Sequence, residues 1–315
     1  MKIINLLYLF ISLLFKLSII GLIAFIFYIS TPIETTQTVT LPKGSVTKTI
    51  KHLQDEGYSL TIIDKYLLAF LGQPKSGTLE IGKGSMNRID FLLKLTNAKE
   101  AIKVITLIPG ETLPIFLEST AKEQKLDLEK LKKFYKEATS FKDGGIIPET
   151  YHVPKDVDEK TLIKILVNQS HKKYKELAIK HFKNYDKKKW LRILTIASIV
   201  QKEAANKEEM PIVASDIYNR LKLNMALQMD GTLNYGKYSH LKVTPKRIKE
   251  DKSGFNTYLN KGLPPYPICS VSVDAINAVL KPKKTDYLYF MRNKSGVHDF
   301  TNSYKEHLRN IKKAK

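Results

Sequence analysis

The first thirty residues constrain the chain most, because they form two mostly apolar runs at positions 3–15 and 17–29 that only Lys16 interrupts. A helix that crosses the hydrocarbon core of a bilayer needs about 20 apolar residues. One span centred in the second half of this segment would place Lys16 near the headgroups, where its aliphatic stem lets the ammonium group reach water. The sequence therefore predicts a single transmembrane anchor within residues 1–30.

The residues around this anchor predict its orientation and processing. Lys2 and Lys16 lie on its N-terminal side, so the positive-inside rule keeps the N-terminus in the cytoplasm and exports the remainder, although Lys43 and Lys48 follow on the far side. Cleavage as a signal peptide is the alternative, but residues 30–33 contain no A-x-A-like site. We expect an uncleaved anchor, and under either alternative the body of the protein lies outside the cytoplasm.

The formal net charge of +21 at pH 7 favours a polyanionic partner. Nucleic acids, anionic lipid headgroups and acidic cell-wall polymers all meet that description. Export disfavours nucleic acid, and the chain has no aromatic-rich basic motif for binding it. The one cysteine, Cys269, allows no intramolecular disulfide, and the seven scattered histidines form no HExxH motif. We therefore expect no nucleic-acid partner, no metal site and no cofactor.

A small module is predicted after the anchor. Residues 31–38 are polar and threonine-rich and are expected to form a short linker, and the module occupies residues 39–97. It opens with a strand, continues with a helix capped by Ser45 and a second helix near residues 62–71, and returns with a strand. This strand–helix–helix–strand order resembles the LysM modules that hold glycan chains. A packing module without a ligand is the alternative.

The second half of the chain carries the pattern that indicates chemistry. Residues 190–205 are predicted to form a strongly apolar helix, and Glu203 lies at the edge of its apolar stripe beside Ile199 and Val200. Partial burial against aliphatic side chains raises the pKa of a carboxyl group, which suits a general acid. The alternative is a solvent-facing glutamate near a helix end that pairs with Lys207 at i+4.

Several sequence blocks, taken in order, carry a family resemblance. They are ASIVQKEA at 197–204, IYNRL at 217–221, LQMDGTLNYG at 227–236, NTY at 256–258, GLPPYPI at 262–268, TDYLYF at 285–290, and the residues Gly296, His298, Phe300, Glu306 and His307. Over roughly residues 100 to 310 their order and spacing resemble those of the endolytic murein transglycosylases, the MltG or YceG-like family. The anchor and the LysM-like module resemble that family in architecture.

Three positions depart from the family pattern. Gln201 stands where the family often has Glu, Gly231 where it often has Pro, and Leu308 where many members have Asn. Glutamine cannot act as an acid, which leaves Glu203 for that role. Glycine and proline can both serve a turn at position 231, whereas leucine removes any polar role from position 308.

The resemblance completes the expected organisation, which is an α+β fold in three parts. These are the N-terminal transmembrane helix, a small LysM-like α/β module at 39–97, and a larger mixed α+β catalytic domain at 98–315. It implies a single-pass protein of the bacterial inner membrane with its catalytic domain in the periplasm. The implied partners are peptidoglycan glycan strands and the membrane, and proteins of cell-wall synthesis are candidates.

The resemblance also implies an activity. Members of the family are understood to cut peptidoglycan strands internally and without water, which would limit the length of nascent strands. The C6 hydroxyl of muramic acid attacks its own anomeric carbon and leaves a 1,6-anhydro end. An ordinary glycosidase needs two carboxylates, but here the nucleophile belongs to the substrate, so a single carboxyl group suffices. The resemblance assigns that role to Glu203. A non-catalytic, membrane-anchored peptidoglycan-binding protein is the alternative function.

Seven further residues are candidates for substrate binding. They are Gln228, Asp230, Asn219, Arg220, Tyr258, Tyr151 and His298. Gln228 and Asp230 could orient the sugar or stabilise positive charge at the anomeric carbon. The alternative for Asp230 is turn chemistry, because Asp-Gly is a common hairpin signal.

The other candidates also have structural alternatives. Asn219 and Arg220 could pair with a muramyl peptide carboxylate or pin the second helix to its neighbours. Tyr151 and Tyr258 could stack on sugar rings, although tyrosine is as often a core residue. His298 could bind the N-acetyl group or be a structural histidine with its hydrogen bonds satisfied.

Overall fold

The computed structural model describes residues 2–314, and the chain divides into two compact units. The first unit extends to Lys103 and includes Pro154–Asp156. The second comprises Val104–Val153 and the residues from Val157 onward. This boundary lies close to the predicted one between positions 97 and 98.

The N-terminal segment forms one helix, α1 (Lys2–Ser30), which continues through Lys16 without a break. Its stretch Asn5–Ser30 has a mean hydropathy of 2.5, and none of the stretch is buried in the protein. Twenty-nine residues at a rise of about 1.5 Å each exceed the roughly 30 Å hydrocarbon core of a bilayer. The predicted apolar helix is therefore confirmed as one long enough to span a membrane.

The first unit contains four strands and three helices besides α1 among the described residues. They are β1 (Pro32–Thr35), β2 (Thr38–Leu41), α2 (Val46–Asp55), α3 (Ile62–Leu71), β3 (Gly77–Glu80), β4 (Gly84–Asn87) and α4 (Arg88–Asn97). β2 pairs with β3 and β1 pairs with β4, both antiparallel. The predicted strand–helix–helix–strand order is thus present in β2, α2, α3 and β3, and Ser45 caps α2 by accepting from the N–H of Lys48.

The expected linker at residues 31–38 is wrong, because this segment forms β1 and the start of β2. Exposure alternates along β1: Ile33 and Thr35 are buried, while Pro32 and Glu34 are exposed. Threonine-rich composition suits a strand as well as a loop, since β-branched side chains pack well on a pleated surface. The partner strand β4 lies about fifty residues away, so local sequence could not reveal the pairing.

The second unit is mostly helical, with two short two-stranded sheets. Its elements are β5 (Ile102–Thr106), α5 (Leu113–Gln124), α6 (Leu128–Ala138), β6 (Thr150–Pro154), α7 (Glu159–Phe182), α8 (Lys187–Glu203), α9 (Met210–Lys222), α10 (Pro245–Glu250), α11 (Val273–Leu280), β7 (Tyr289–Arg292), β8 (His298–Thr301) and α12 (Tyr304–Ala314). β5 pairs with β6, and β7 pairs with β8. The mixed α+β class that the sequence predicted is confirmed.

Helix α8 forms the centre of the second unit. Its residues from Ile193 to Val200 are all buried, and it packs against both α9 and α11. A helix that is apolar over most of its circumference must be surrounded by other elements, which explains why no face of α8 here meets solvent. The end of α8 emerges from this core at Glu203, so the core fixes where that carboxyl group lies.

Candidate active site

A polar cleft of about 320 Å³ opens at the C-terminal end of α8. It is lined from α8, α9, the segment after α9, the loop at Tyr258, the β7–β8 hairpin and α12. Its lining residues are Glu203, Arg220, Leu227, Gln228, Met229, Asp230, Tyr258, Tyr289, Phe290, Met291, Arg292, His298, Tyr304 and His307. Six of the eight residues predicted to form the site, Glu203 and Asp230 among them, line this cleft, while Asn219 and Tyr151 do not.

Glu203 is the last residue of α8 and points its carboxyl group into the cleft. The side chain is half-buried, and Ile199 and Val200 on the preceding turn are fully buried. Burial raises the pKa of Glu203 to about 7, against the lowering effect of a hydrogen bond from the backbone of Gly231, and the negative charge of Asp230 raises it further. At neutral pH the carboxyl group can therefore hold a proton and also release it.

Gly231 brings the backbone close to this carboxyl group. Its N–H donates to Oε1 of Glu203 over 2.7 Å. A Cβ at position 231 would lie 2.7 Å from the Cβ of Lys202 and 2.8 Å from Oε1 of Glu203, so a side chain does not fit. Proline, common here in the family that the sequence resembles, would also have no N–H to donate. In this chain position 231 is thus more than a turn residue.

In the segment before Gly231, buried apolar residues alternate with polar residues that face the cleft. Leu227 and Met229 are buried, whereas Gln228 and Asp230 are exposed and line the cleft. Asp230 begins a short 3-10 turn that ends at Leu233, and its Oδ1 accepts a 2.7 Å hydrogen bond from the hydroxyl of Tyr258. The turn and the cleft-facing carboxylate coexist, because the turn orients the backbone and leaves the side chain free to face outward.

Gln201, two residues before Glu203, lies outside this cleft. Its side-chain Oε1 accepts a 3.1 Å hydrogen bond from the N–H of Ser272, the residue that caps α11. The side chain at position 201 thus fastens α8 to α11. Of the two neighbouring positions that the sequence offered for an acid, only 203 faces the cleft.

Arg220 and Asn219 bind main-chain carbonyl groups. The Nε of Arg220 donates to the carbonyl of Leu288 over 2.6 Å, and its Nη1 donates to those of Ala226 and Leu227 over 3.0 and 2.9 Å. Arg220 is buried and lies under the ring of Tyr289, with its Cζ 5.2 Å from the ring centre. It lines the base of the cleft and holds two of the cleft's walls together.

Asn219 faces away from the cleft. Its side-chain amide donates to the carbonyls of Thr285 and Tyr287, both over 2.9 Å. The geometry matches the second of the two predicted roles, in which this residue pins α9 to its neighbours. The loop that it pins leads into β7, which forms one wall of the cleft.

Tyr151 is a core residue, which corrects the expectation that it stacks on sugar rings. It lies on β6, is 1% exposed, and donates through its hydroxyl to the carbonyl of Ile147 over 2.6 Å. Burial also raises the pKa of its hydroxyl well above the ordinary value. Alternation along β6 places Tyr151 and Val153 inward, and sequence alone could not distinguish an inward tyrosine from a ligand-binding one.

His298 begins β8 and lines the cleft, and it brings with it a residue that sequence reasoning missed. Nδ1 of His298 lies 2.7 Å from Oε2 of Glu209, the residue immediately before α9. Glu209 is buried although it carries a carboxylate. Its only signal in the sequence was its position two residues before Pro211, since proline is favoured in the first turn of a helix. An acid at that position equally suits an ordinary helix terminus. The aromatic residues Tyr289 and Tyr304 of the cleft were also missed.

The protein therefore has a mixed α+β fold and a polar cleft, and the cleft contains one glutamate whose carboxyl group has a raised pKa. The model of the YceG-like family matches residues 39–313, and the chain belongs to that family. A solved structure, that of a putative YceG-like protein from Listeria monocytogenes, is 28% identical, with a TM-score of 0.58, and the match covers 86% of this chain and 97% of that one.

Curated relatives carry a functional name. A protein of Bacillus subtilis (strain 168) named endolytic murein transglycosylase is 35% identical over 169 residues, which is 52% of this chain and 46% of that protein. One of the same name from Streptococcus pneumoniae (strain D39) is 30% identical over 177 residues, 54% of this chain and 31% of that protein. The match thus spans less than half the length of these relatives.

Proposed function

We propose that this chain is a lytic transglycosylase, a lyase that cuts peptidoglycan glycan strands internally and leaves 1,6-anhydro-N-acetylmuramic acid ends. The observation that carries the proposal is the carboxyl group of Glu203, which lies in a polar cleft with its pKa raised to about 7. Membership of the YceG-like family and the name of the curated relatives support the same reaction. Cutting of nascent strands would limit their length.

The proposed mechanism needs one carboxyl group. Because Oε1 of Glu203 accepts the hydrogen bond from Gly231, the proton is carried on Oε2. That proton passes to the glycosidic oxygen as the bond from this oxygen to the anomeric carbon breaks. The C6 hydroxyl of the same muramic acid then forms its bond to the anomeric carbon and returns its proton to Oε2. The enzyme ends in its starting state, and no water is consumed.

The surrounding residues would stabilise positive charge on the sugar. The carboxylate of Asp230 is held by the hydroxyl of Tyr258 over 2.7 Å, and its negative charge acts on the same cleft as Glu203. A carboxylate stabilises a positive charge that develops nearby, and this stabilisation is largest where water is partly excluded. Gln228 supplies an amide that can hydrogen-bond to a sugar, and Arg220 lies at the base of the cleft, where a substrate carboxylate would be attracted.

We further propose that α1 anchors the enzyme with its N-terminus in the cytoplasm and the second unit on the outer side, where peptidoglycan lies. The apolar helix and its flanking Lys2 and Lys16 support this topology. In a cell with an outer membrane the catalytic domain would then be periplasmic. The high positive charge would favour contact with anionic lipid or acidic wall polymers on that side.

The test is digestion of purified peptidoglycan strands followed by mass spectrometry of the products. We expect 1,6-anhydro ends inside the strands, at 18 Da less than a hydrolytic product would have, since one water is about 18 Da. Glu203→Gln keeps the shape of the side chain but loses the transferable proton, so cleavage should fall by at least about two orders of magnitude. Exposed Glu208 offers the matched control, and Glu208→Gln should cleave normally.

Two results would contradict the proposal. Reducing ends that carry an added water would show a hydrolase instead. Strand binding without cleavage by the native chain would favour the non-catalytic wall-binding alternative.

A further inference from the structure

We propose that Glu209 is a positioning residue, which fixes His298 in the tautomer whose Nε2 accepts a hydrogen bond from an N-acetylated saccharide in the cleft. The identity of this ligand rests on the proposed function. The tautomer rests on the geometry of the two side chains alone. The proposal adds His298 to the functional groups of the cleft, and it assigns Glu209 a role in binding.

The carboxylate of Glu209 accepts three hydrogen bonds. Its Oε1 accepts from the backbone N–H of His298 over 2.7 Å, and its Oε2 lies 2.7 Å from Nδ1 of the same residue. The N–H of Ala205 donates to Oε2 over 3.1 Å. The Glu209 side chain is only 9% exposed, so these donors replace the water that an ionised carboxylate would otherwise bind.

These contacts determine the charge of Glu209 and the tautomer of His298. Burial acts to raise the pKa of Glu209, but the hydrogen bonds from His298 and Ala205 outweigh it and lower the pKa below its usual value. An ionised carboxylate can only accept hydrogen bonds, so Nδ1 of His298 must carry a hydrogen. In the neutral imidazole Nε2 then has a free lone pair. A carboxylate that selects a histidine tautomer in this way is a known device of catalytic sites.

The imidazole ring is held on its other sides by aromatic residues. The ring of Phe290 on β7 lies edge-on to it, with centroids 5.2 Å apart and planes at 86°. Phe300 on β8 packs against it with centroids 6.1 Å apart. Because one nitrogen is bonded and two rings fix the plane, the histidine cannot easily turn. Both His298 and Glu203 line the same cleft.

The chemistry of Nε2 selects the kind of group that it binds. An acceptor on a rigid ring requires a hydrogen-bond donor on the ligand. An N-acetylated sugar offers such donors in its amide N–H and its hydroxyl groups. The loss of one well-oriented hydrogen bond weakens binding of substrate or transition state by about tenfold or more.

The first experiment is the variant His298→Asn, in the full chain. The asparagine amide reaches the position of Nδ1 and can still donate to Glu209, but it has no group at the position of Nε2. We expect an unchanged melting temperature and a fall in kcat/KM on glycan strands of about tenfold or more. Activity within about twofold of the native chain would overturn the proposal.

The chain contains a matched control. Nε2 of His240 lies 3.0 Å from Oε2 of Glu111, so this histidine also contacts a carboxylate, but it is 66% exposed and lies outside the cleft. His240→Asn should leave kcat/KM unchanged. An equal loss in both variants would indicate a general effect of removing a histidine and would also overturn the proposal.

The second experiment reads the tautomer without any turnover. The full chain, labelled with ¹⁵N-histidine and held in detergent micelles, is studied by NMR, and His298 is assigned from the signal missing in His298→Asn. We expect a hydrogen on Nδ1 and none on Nε2 in the neutral imidazole of His298. In Glu209→Gln the N–H₂ group of the glutamine must face one of the donors that the carboxylate of Glu209 accepts from in the native chain. The single tautomer of His298 should therefore be lost. A native His298 with its hydrogen on Nε2 would refute the proposal.

Addition of an N-acetylglucosamine oligosaccharide completes the test. It should shift the Nε2 signal of native His298 and should not shift that of His240. Absence of any shift at His298 would refute the binding role. A native chain that shows the shift but forms no anhydro products would refute the proposed function and leave the role of Glu209 and His298 standing.

Discussion

The backbone N–H of Gly231 lies 2.7 Å from Oε1 of Glu203, although the two residues are far apart in the chain. This hydrogen bond fixes which carboxyl oxygen is free to carry the proton. It also limits how far burial can raise the pKa of Glu203. The close approach depends on the absence of a side chain at position 231.

Gly231→Ala should disturb this relationship directly. The added Cβ would meet the Cβ of Lys202 at 2.7 Å and Oε1 of Glu203 at 2.8 Å, so the loop and the carboxyl group must separate. We expect a stability loss of about 1–3 kcal/mol and a fall in turnover of about a hundredfold, because small displacements of a catalytic group are costly. Thermal melting and product assays measure the two effects.

Gly254 provides the control for that substitution. A Cβ there would come no closer than 3.5 Å to Pro265, an ordinary contact. Gly254→Ala should therefore change neither quantity appreciably. Full activity in Gly231→Ala would show that the loop can relax without moving Glu203.

Activity should depend on pH through Glu203. The acid must be protonated, and its pKa is about 7 because burial and the charge of Asp230 raise it. The rate should therefore be maximal below pH 7 and fall by about tenfold per pH unit above it. In Asp230→Asn the negative neighbour is gone, so the pKa of Glu203 falls and the descending limb moves to lower pH. A pH profile of kcat/KM for both proteins measures this, and an unchanged limb in the variant would contradict it.

The same raised pKa should lower the stability of the native protein at high pH. In the folded state Glu203 holds its proton up to about pH 7, whereas in the unfolded chain it releases that proton near the ordinary glutamate pKa of 4.5. The unfolded state therefore binds fewer protons between these values, and stability falls as pH rises through them. Glu203→Gln, which cannot ionise, should be more stable than the native chain at pH 8 by about 1–3 kcal/mol.

At pH 4 that difference should vanish, because the native carboxyl group is then protonated in both states. Denaturant unfolding at the two pH values makes the comparison. An equal stability difference at both would show that it arises from packing and not from ionisation.

Asn219→Ala should affect stability more than substrate binding. It removes two hydrogen bonds to the carbonyls of Thr285 and Tyr287 and leaves those partly buried acceptors without this donor. We expect a loss of about 1–3 kcal/mol with KM unchanged, as measured by melting and by kinetics well below the melting temperature. A raised KM in a fully folded variant would restore the predicted role in binding a muramyl peptide.

The anchor should remain on the mature protein. The apolar helix is continuous to Ser30, and no A-x-A-like site follows it. Intact-mass analysis of protein extracted from membranes should give the mass of the whole chain. A soluble form that begins near Ser30 would show that the helix is a cleaved signal.

Much of the local structure could be predicted from the sequence. The helix at Ile62–Leu71 follows from apolar spacing and from the Gly72 that ends it, and Ser45 caps α2 as expected. The apolar stripe of α8 predicted both its burial and the position of Glu203 at its edge. Each of these features depends on residues within one or two turns of each other, so the sequence contains all the information needed.

The misplaced residues show where local information ends. Residues 31–38 have the composition of a linker but form a strand, because β4 supplies a partner. Tyr151 has a side chain that can stack on sugar rings, but it faces the core. Alternation on β6 and the packing of α7 determine which side of the strand is inward. The choice between such alternatives depends on a neighbour that is distant in the chain.

The sequence by itself determined the class of this protein: an apolar N-terminal helix, a mixed α+β body, a family pattern and one glutamate at the end of a buried helix. Only the tertiary structure decided how the cleft is built. The N–H of Gly231 at Glu203, the hydroxyl of Tyr258 at Asp230, and Glu209 behind His298 join residues that lie between 28 and 89 positions apart. The physical reason is that hydrogen-bond geometry and burial depend on distances in space, which chain-local periodicity does not encode.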